Sequence, residues 1–175
     1  MTELLVLCTG NAARSVMAGF MLDHLKADQP VPALHVVTAG THTIDGQPMG
    51  LRTRSALSMI PQLATADFKS HRSRQVYGAD LLRAELVVVM EADHVRFVRR
   101  EFPEAADRTA TIRRLCADLP PAPPALGERV AGLKLADVSL SDQEDVIDPA
   151  GGEEATYAAC VAELWVLCQQ LITLL

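Results

Sequence analysis

Cys8 and Arg14 bracket five small or polar residues, Thr9-Gly10-Asn11-Ala12-Ala13, and Ser15 follows at once. This C-x5-R-S element stands between an apolar run, Leu4 to Leu7, and a stretch of helical spacing that begins near Ser15. Small residues let a backbone curl so that successive N–H groups point inward. A helix N-terminus behind them adds partial positive charge, and the two together cradle a tetrahedral anion. Arg14 would close such a cradle with a planar fork matched to two phosphate oxygens. The same field favours thiolate over thiol, so Cys8 is expected to be a nucleophile of lowered pKa, with Ser15 donating to its sulfur. With four Cys and 13 Arg in 175 residues, the spacing alone arises readily by chance. The strand before it, Gly10 and Asn11 inside it and the helix after it carry the reading. The alternative is a structural cysteine at a strand end, with Arg14 on a solvated helix face. The loop fits neither G-x-x-x-x-G-K-[ST] nor G-x-G-x-x-G, so a nucleotide-binding loop is not supported.

Attack on a phosphate monoester also needs an acid, because an alkoxide or phenolate leaves poorly unless it is protonated. Asp148-Pro149 is the only Asp-Pro pair in the chain and precedes the last helical stretch. A loop acid there can reach the cradle if both lie at the carboxyl edge of one sheet, where α/β proteins bind ligands. Glu144 and Asp145 are near enough in sequence to raise its pKa by like-charge repulsion. Asp and Pro are also turn formers, and Asp148 as a turn cap is an equal alternative at this point.

The elements that must position these groups alternate along the chain. Leu4 to Leu7 and Leu34 to Thr38 are expected strands, and Leu86 to Met90 is a continuous apolar, β-branched run suited to an interior parallel strand. Thr111 to Cys116 is a weaker fourth candidate. Helical spacing is expected over Ser15 to Ala27, Leu51 to Leu63, Ala92 to Glu101 and Glu153 to Leu174. Strand and helix in alternation predict right-handed βαβ units, hence an α/β fold: one three-layer domain over residues 1–175, with a central four-stranded parallel sheet flanked by helices. The Pro-rich stretch from Pro120 opens a segment, 120–147, read as a long surface loop within that domain.

Composition bounds the rest. The chain is 49% hydrophobic and 22% charged, with 16 basic and 22 acidic residues and a formal net charge of -6. That argues against nucleic acid as a partner, while a local cationic pocket still suits an anionic substrate. The four cysteines, Cys8, Cys116, Cys160 and Cys168, form no C-x-x-C pair, so neither a zinc site nor a thioredoxin-like motif is expected and a reduced, cytoplasmic chain is the simpler reading. The apolar stretch Leu164 to Leu175, broken by Gln169 and Gln170, is short for a membrane span and reads as a core-packed helix, with no membrane partner expected.

Taken together, the motifs resemble the low-molecular-weight protein tyrosine phosphatases and the related thioredoxin-coupled arsenate reductases. The family loop C-x-G-N-x-C-R-S-P is similar to Cys8 to Val16 here. The S-A-G after the second strand is similar to Thr38-Ala39-Gly40, and H-x-[SA]-R-Q to His71-Arg72-Ser73-Arg74-Gln75. The apolar strand ending in Met looks like Leu86 to Met90, followed by a short helix with His94. The D-P acid looks like Asp148-Pro149. Similarity in this order covers nearly the whole chain and includes Asp148. The resemblance implies Cys8 as nucleophile, Arg14 as phosphate clamp, Asp148 as general acid and Ser15 as thiolate stabiliser. It implies substrate binding by Thr9, Gly10, Asn11, Ala12, Ala13 and Ser15, with Thr38 and His71 supporting Asn11. It implies a phosphocysteine intermediate, no metal and no cofactor, with a phosphotyrosine protein or a small aryl phosphate as substrate.

Three departures stand out. Ala13 replaces the second loop cysteine, which removes the neighbour that would shield the nucleophile as a disulfide. Val16 replaces Pro. Ala150 replaces the aromatic after Asp-Pro, and Ile44 lies near where the family often places another pocket aromatic, so a phenyl ring loses sandwich partners. Two other readings of the loop remain at this stage: arsenate reduction, which needs an accessible partner thiol, and a non-catalytic phosphate-binding module.

Overall fold

The computed structural model describes residues 2–28 and 34–175. Four strands, β1 (Glu3–Cys8), β2 (His35–Gly40), β3 (Leu86–Val89) and β4 (Thr109–Thr111), form one parallel sheet in the order β2-β1-β3-β4. β1 is interior, and its carboxyl end therefore opens between two neighbours. The register pairs Cys8 with Gly40 on one side and Leu7 with Val89 on the other.

Side chains alternate across the sheet with period two. Leu4, Val6 and Cys8 with Leu86, Val88 and Met90 face one apolar core, and Leu5 and Leu7 with Val87 and Val89 face the other. Because both faces are covered, these strands are apolar throughout. The first core is closed by α1 (Arg14–Leu25), α2 (Leu51–Leu57), α5 (Ile112–Asp118), α6 (Leu126–Gly132) and α7 (Glu154–Leu174). The second is closed by α3 (Gly78–Arg83) and α4 (Ala92–Glu101). This is the expected three-layer α/β domain. α1 lies tight on β2: a Cβ at Gly19 would come within 2.5 Å of Thr38 Cγ2.

Three local expectations are corrected. The fourth strand is Thr109–Thr111, and 112–118 is helix. Thr111 Oγ1 accepts from the Arg114 N–H and caps that helix, while Ile112, Leu115 and Leu119 are buried at helical spacing. The helix expected over Leu51 to Leu63 stops at Leu57, and Pro61, which has no N–H to donate, opens a separate short 3-10 turn. The expected loop 120–147 contains α6 and a second 3-10 turn, Asp142–Glu144. Arg129, buried on α6, explains why this segment is ordered: its guanidinium donates to the carbonyls of Pro120, Pro124 and Leu174 and gathers three stretches of chain. α3 had no sequence signal strong enough to be expected. α7 is long and apolar enough to cross a membrane, but its Cys160, Val161, Leu164, Leu167, Cys168, Leu171 and Ile172 are buried in the first core.

Candidate active site

β1 delivers Cys8 to the sheet's carboxyl edge and α1 begins six residues later. The link between them turns sharply at Asn11, whose φ of 48° lies in the left-handed region that Asn tolerates better than most residues. Its side chain, fully buried, is bonded on every side. Nδ2 donates to Thr38 Oγ1 at 3.0 Å and to Ser15 Oγ at 3.1 Å, and Oδ1 accepts from the Arg74 N–H at 3.0 Å. The Asn11 carbonyl accepts from His71 Nε2 at 2.9 Å. A carbonyl can only accept, so His71 carries its proton on Nε2. Burial, the largest cause, and the nearby Arg72 lower the His71 pKa, partly offset by this hydrogen bond.

The loop is held from outside as well. Thr43 Oγ1 donates to the Gly10 carbonyl at 2.7 Å and Thr53 Oγ1 to the Ala12 carbonyl at 3.0 Å. The N–H groups of Thr41 and His42, just beyond β2, donate to the carbonyls of Cys8 and Thr9 at 2.9 Å each. Gly40 permits that approach, since a Cβ there would stand 2.7 Å from the Thr9 carbonyl oxygen and 3.1 Å from the Asn11 nitrogen. The carbonyls of the loop are thus bonded outward. Among the described residues, the N–H groups of Gly10 to Ala13 meet no protein acceptor, and α1 starts with neither a side-chain cap nor an acidic residue in its first turn. Unspent donors at an uncapped helix start suit a tetrahedral anion.

Ser15 Oγ lies 3.0 Å from Cys8 Sγ. Because Ser15 Oγ already accepts from Asn11 Nδ2, its own proton is free to donate to the sulfur. Arg14 is 2% exposed. Its Nη1 donates to Glu91 Oε2 at 2.6 Å and to the Val146 carbonyl at 3.0 Å, and its Nη2 donates to Asp148 Oδ2 at 2.9 Å. Burial works against the guanidinium charge, but the Glu91 hydrogen bond and the charges of Asp148 and Glu91 outweigh it and raise the Arg14 pKa. Cys8, Gly10, Ala12, Ala13, Arg14, Asp148 and Ala150 line one cavity of about 70 Å³. Asp148 thus comes to the cradle across more than a hundred residues of chain, tethered at Arg14.

Not every expected neighbour converges. Glu144 is spent on Thr111 and Arg114, and Asp145 Oδ1 accepts from the Ala92 N–H at 2.7 Å. The like charges offered to Asp148 by sequence proximity are therefore turned to other partners. Three residues at the site escaped sequence reasoning. Glu91 carried no signal of its own. Thr43 and Thr53 are common residues that act only through backbone carbonyls. His94 was noted only as part of a helix; its Nε2 lies 3.0 Å from Thr9 Oγ1 and 3.2 Å from Glu91 Oε1. The other thiols suit no resolving role. Burial pushes Cys116 up to about 11 and Cys160 up to about 12, and it raises the fully buried Cys168 too. Arsenate reduction, which requires a reachable thiolate, is not favoured.

Comparison with known proteins shows the family. The low molecular weight phosphotyrosine protein phosphatase family matches residues 3–120. The chain is 27% identical over 169 residues to a protein-arginine-phosphatase of Geobacillus stearothermophilus, covering 97% of this chain and 93% of that one. It is 31% identical over 112 residues to a probable low molecular weight protein-tyrosine-phosphatase, EpsP, of Ralstonia solanacearum, covering 64% and 69%. Among solved structures, the YwlE arginine phosphatase from Geobacillus stearothermophilus superposes with a TM-score of 0.74 at 25% identity, over 98% of this chain and 91% of that one. A low molecular weight protein tyrosine phosphatase from T. tengcongensis gives 0.73 at 25% identity, over 98% of each. The chain belongs to the low molecular weight phosphotyrosine protein phosphatase family and is a cysteine-based phosphatase.

Proposed function

We propose that this phosphatase dephosphorylates proteins through a phosphocysteine on Cys8, with Arg14 as the phosphate clamp and Asp148 as the general acid. The observation that carries the reading is the meeting of these three side chains in one small cavity. A phosphate dianion enters the cradle of free N–H groups, and the Arg14 guanidinium, already fixed through Glu91 and Val146, turns its remaining donors to two phosphate oxygens. Phosphate then displaces Asp148 from the Arg14 Nη2 that holds it at rest, which frees its carboxyl for the leaving group. The Cys8 sulfur attacks phosphorus, the P–O bond to the leaving group breaks, and the leaving oxygen takes the Asp148 proton. Water attacks the phosphocysteine next. Asp148 takes its proton, the S–P bond breaks, and inorganic phosphate leaves with the thiolate restored. Positive charge for both transition states comes from Arg14 and the backbone amides. Thr38 and His71 act through Asn11 and shape the cradle.

Phosphotyrosine proteins or small aryl phosphates are the proposed substrates, and the Ralstonia relative is named for tyrosine. A second reading, phosphoarginine proteins, is favoured by two observations. The relative matched over 97% of this chain is named an arginine phosphatase, and the cavity wall carries Ala150, with no ring to stack on a phenyl group. The free thiols agree with a reducing, cytoplasmic setting. The test is a substrate panel in EDTA: a phosphotyrosine peptide, the matching phosphoarginine peptide and a small aryl phosphate, each against Cys8→Ser. Turnover that Cys8→Ser abolishes is expected, and the ranking of the two peptides assigns the side chain. Turnover surviving in Cys8→Ser contradicts the mechanism.

A further inference from the structure

The first turn of α4 touches the cradle at both ends, and the mechanism above uses only one of those contacts. Glu91 is the residue before α4, and His94 lies in its first turn. Glu91 Oε2 accepts from Arg14, the last residue of the cradle. His94 Nε2 lies 3.0 Å from the hydroxyl of Thr9, the first residue after the nucleophile, and 3.2 Å from Glu91 Oε1. We propose that His94 is a positioning residue of the phosphate site, which fixes Thr9, the residue after the nucleophile, through its Nε2.

The tautomer follows from the surroundings. A lone pair on Nε2 facing a carboxylate oxygen at 3.2 Å would be repulsive, so Nε2 bears the proton and donates to Thr9 Oγ1. Nδ1 is then a bare acceptor, buried and without a protein partner among the described residues. A bare buried acceptor is the cheaper orphan, since the opposite tautomer would leave an N–H donor unpaired there. His94 is 3% exposed, and burial together with the Arg14 charge lowers its pKa to about 3, against weaker upward pulls from Asp148 and Asp93 and with a further lowering from His42. A neutral ring fits the role. An imidazolium next to Glu91 would compete with Arg14 for the same carboxylate, whereas a neutral N–H orients Thr9 and leaves the Glu91 charge to the guanidinium. α4 is seated by Val95 and Val98, buried in the second core, which gives the brace its fixed end.

The proposal rests on the phosphatase reading of the Cys8–Arg14 loop, and its test separates the two. The variants are His94→Leu, His94→Gln and Thr9→Val, alone and with Thr9→Val combined with His94→Leu. Each is measured for binding of inorganic phosphate by calorimetry and for kcat and KM on an aryl phosphate. His94→Leu is expected to weaken phosphate binding and kcat/KM by about 100-fold, the scale of an ångström-sized misplacement. Gln places an amide N–H where Nε2 stands, so His94→Gln should recover most of both values although it fits the core no better than Leu. Thr9→Val should reproduce much of the loss, and the double variant should lose no more than the worse single one, as bonded partners do. Wild-type phosphate binding without turnover would sink the catalytic reading while leaving the brace to be judged on phosphate affinity. If wild-type protein binds no phosphate, both fall. Phosphate affinity unchanged in folded His94→Leu, or additive losses in the double variant, overturns the brace. Should His94→Leu not fold, the Thr9→Val and His94→Gln values decide: unchanged affinity in Thr9→Val, or no recovery in His94→Gln, overturns it.

Discussion

The cradle and the acid segment face each other across one small cavity, yet they are built in opposite ways. Asn11, Arg14 and Ser15 are at most 2% exposed, and Asn11 is hydrogen-bonded to Ser15, Thr38, Arg74 and His71. Asp148, on the far side, has a side chain 43% exposed, and Ile147 beside it is among the most exposed large apolar residues. Its segment hangs on a few tethers: the Val146 N–H on the Met90 carbonyl just after β3, Asp145 on the first N–H of α4, Arg14 on Val146 and Asp148, and Arg52 Nη1 donating to the Gly152 carbonyl at 2.9 Å. Segments with few buried contacts open locally at low free energy. The nucleophile and the anion site are thus held in one geometry. The acid can follow the leaving group, and its resting position is set by the same arginine that phosphate will claim.

The contrast predicts two kinds of damage. Substitution in the cradle should cost rate and stability together, while substitution in the acid segment should cost rate alone. The largest combined effect is expected for Asn11→Ala. It strips three hydrogen bonds from a buried left-handed residue and should lower stability by about 3 kcal/mol, with kcat/KM falling by about 100-fold or more as the loop relaxes. Asp148→Asn should lower kcat by about 100-fold through loss of the acid. Its stability should stay within about 1 kcal/mol, the usual worth of a part-exposed ion pair, because Arg14 keeps Glu91. The loss should shrink with leaving groups that need no proton, a dependence read from a series of substituted phenyl phosphates.

Acidification reaches both sides: burial raises the pKa of Asp145, a tether of the acid segment, and on the other side two histidines respond. His71 and His94 both have folded pKa values below the unfolded 6.5, His94 at about 3. A depressed folded pKa means the unfolded chain takes up the proton first, so the stability these residues supply is complete above about pH 6.5 and is lost as pH falls towards the folded values. For His94 the slope approaches about 1.4 kcal/mol per pH unit in the window from 6.5 to 3. Denaturant midpoints measured across that range should show it, and His94→Gln should flatten the curve. Gly40→Ala is expected to be milder. Its new Cβ meets the Thr9 carbonyl at 2.7 Å, and relief by a small backbone shift should cost about 1–3 kcal/mol. The smallest effect is Arg52→Ala, an exposed tether of the acid segment, expected to change stability by less than about 0.5 kcal/mol and kcat by a few-fold at most.

The same contrast explains what could be read from the sequence. The cradle is local: nucleophile, turn, clamp and helix start lie within eight consecutive residues, and the apolar strand before them marks where the loop must sit. Asp148 was legible as a dipeptide but ambiguous as a function, because its meeting with Arg14 depends on the whole path of α5, α6 and the turns between them. Thr109–Thr111 is a strand of three residues, too short to show period two, and its apolar continuation into Ile112 and Leu115 mimics a strand until the helical spacing is complete. In α6, Arg129 is a buried cation satisfied by carbonyls from three places, and no local pattern announces such a partner set. The Glu91–His94 pair was hidden for a similar reason: one helical turn brings them together, but only the sheet order, with β3 beside β1, lays that turn against the cradle.

The most direct test of the account is to look for the covalent intermediate itself. Wild-type protein is mixed with an aryl phosphate, quenched in acid within milliseconds and examined by mass spectrometry of its peptides. One added phosphoryl group is expected on the peptide carrying Cys8, accumulating in a burst equal to the enzyme concentration if hydrolysis limits turnover, and none on the same peptide of Cys8→Ala under the same quench. Full turnover with no phosphate trapped on Cys8, or phosphate found on another residue that turns over at the catalytic rate, would mean that Cys8 is not the nucleophile.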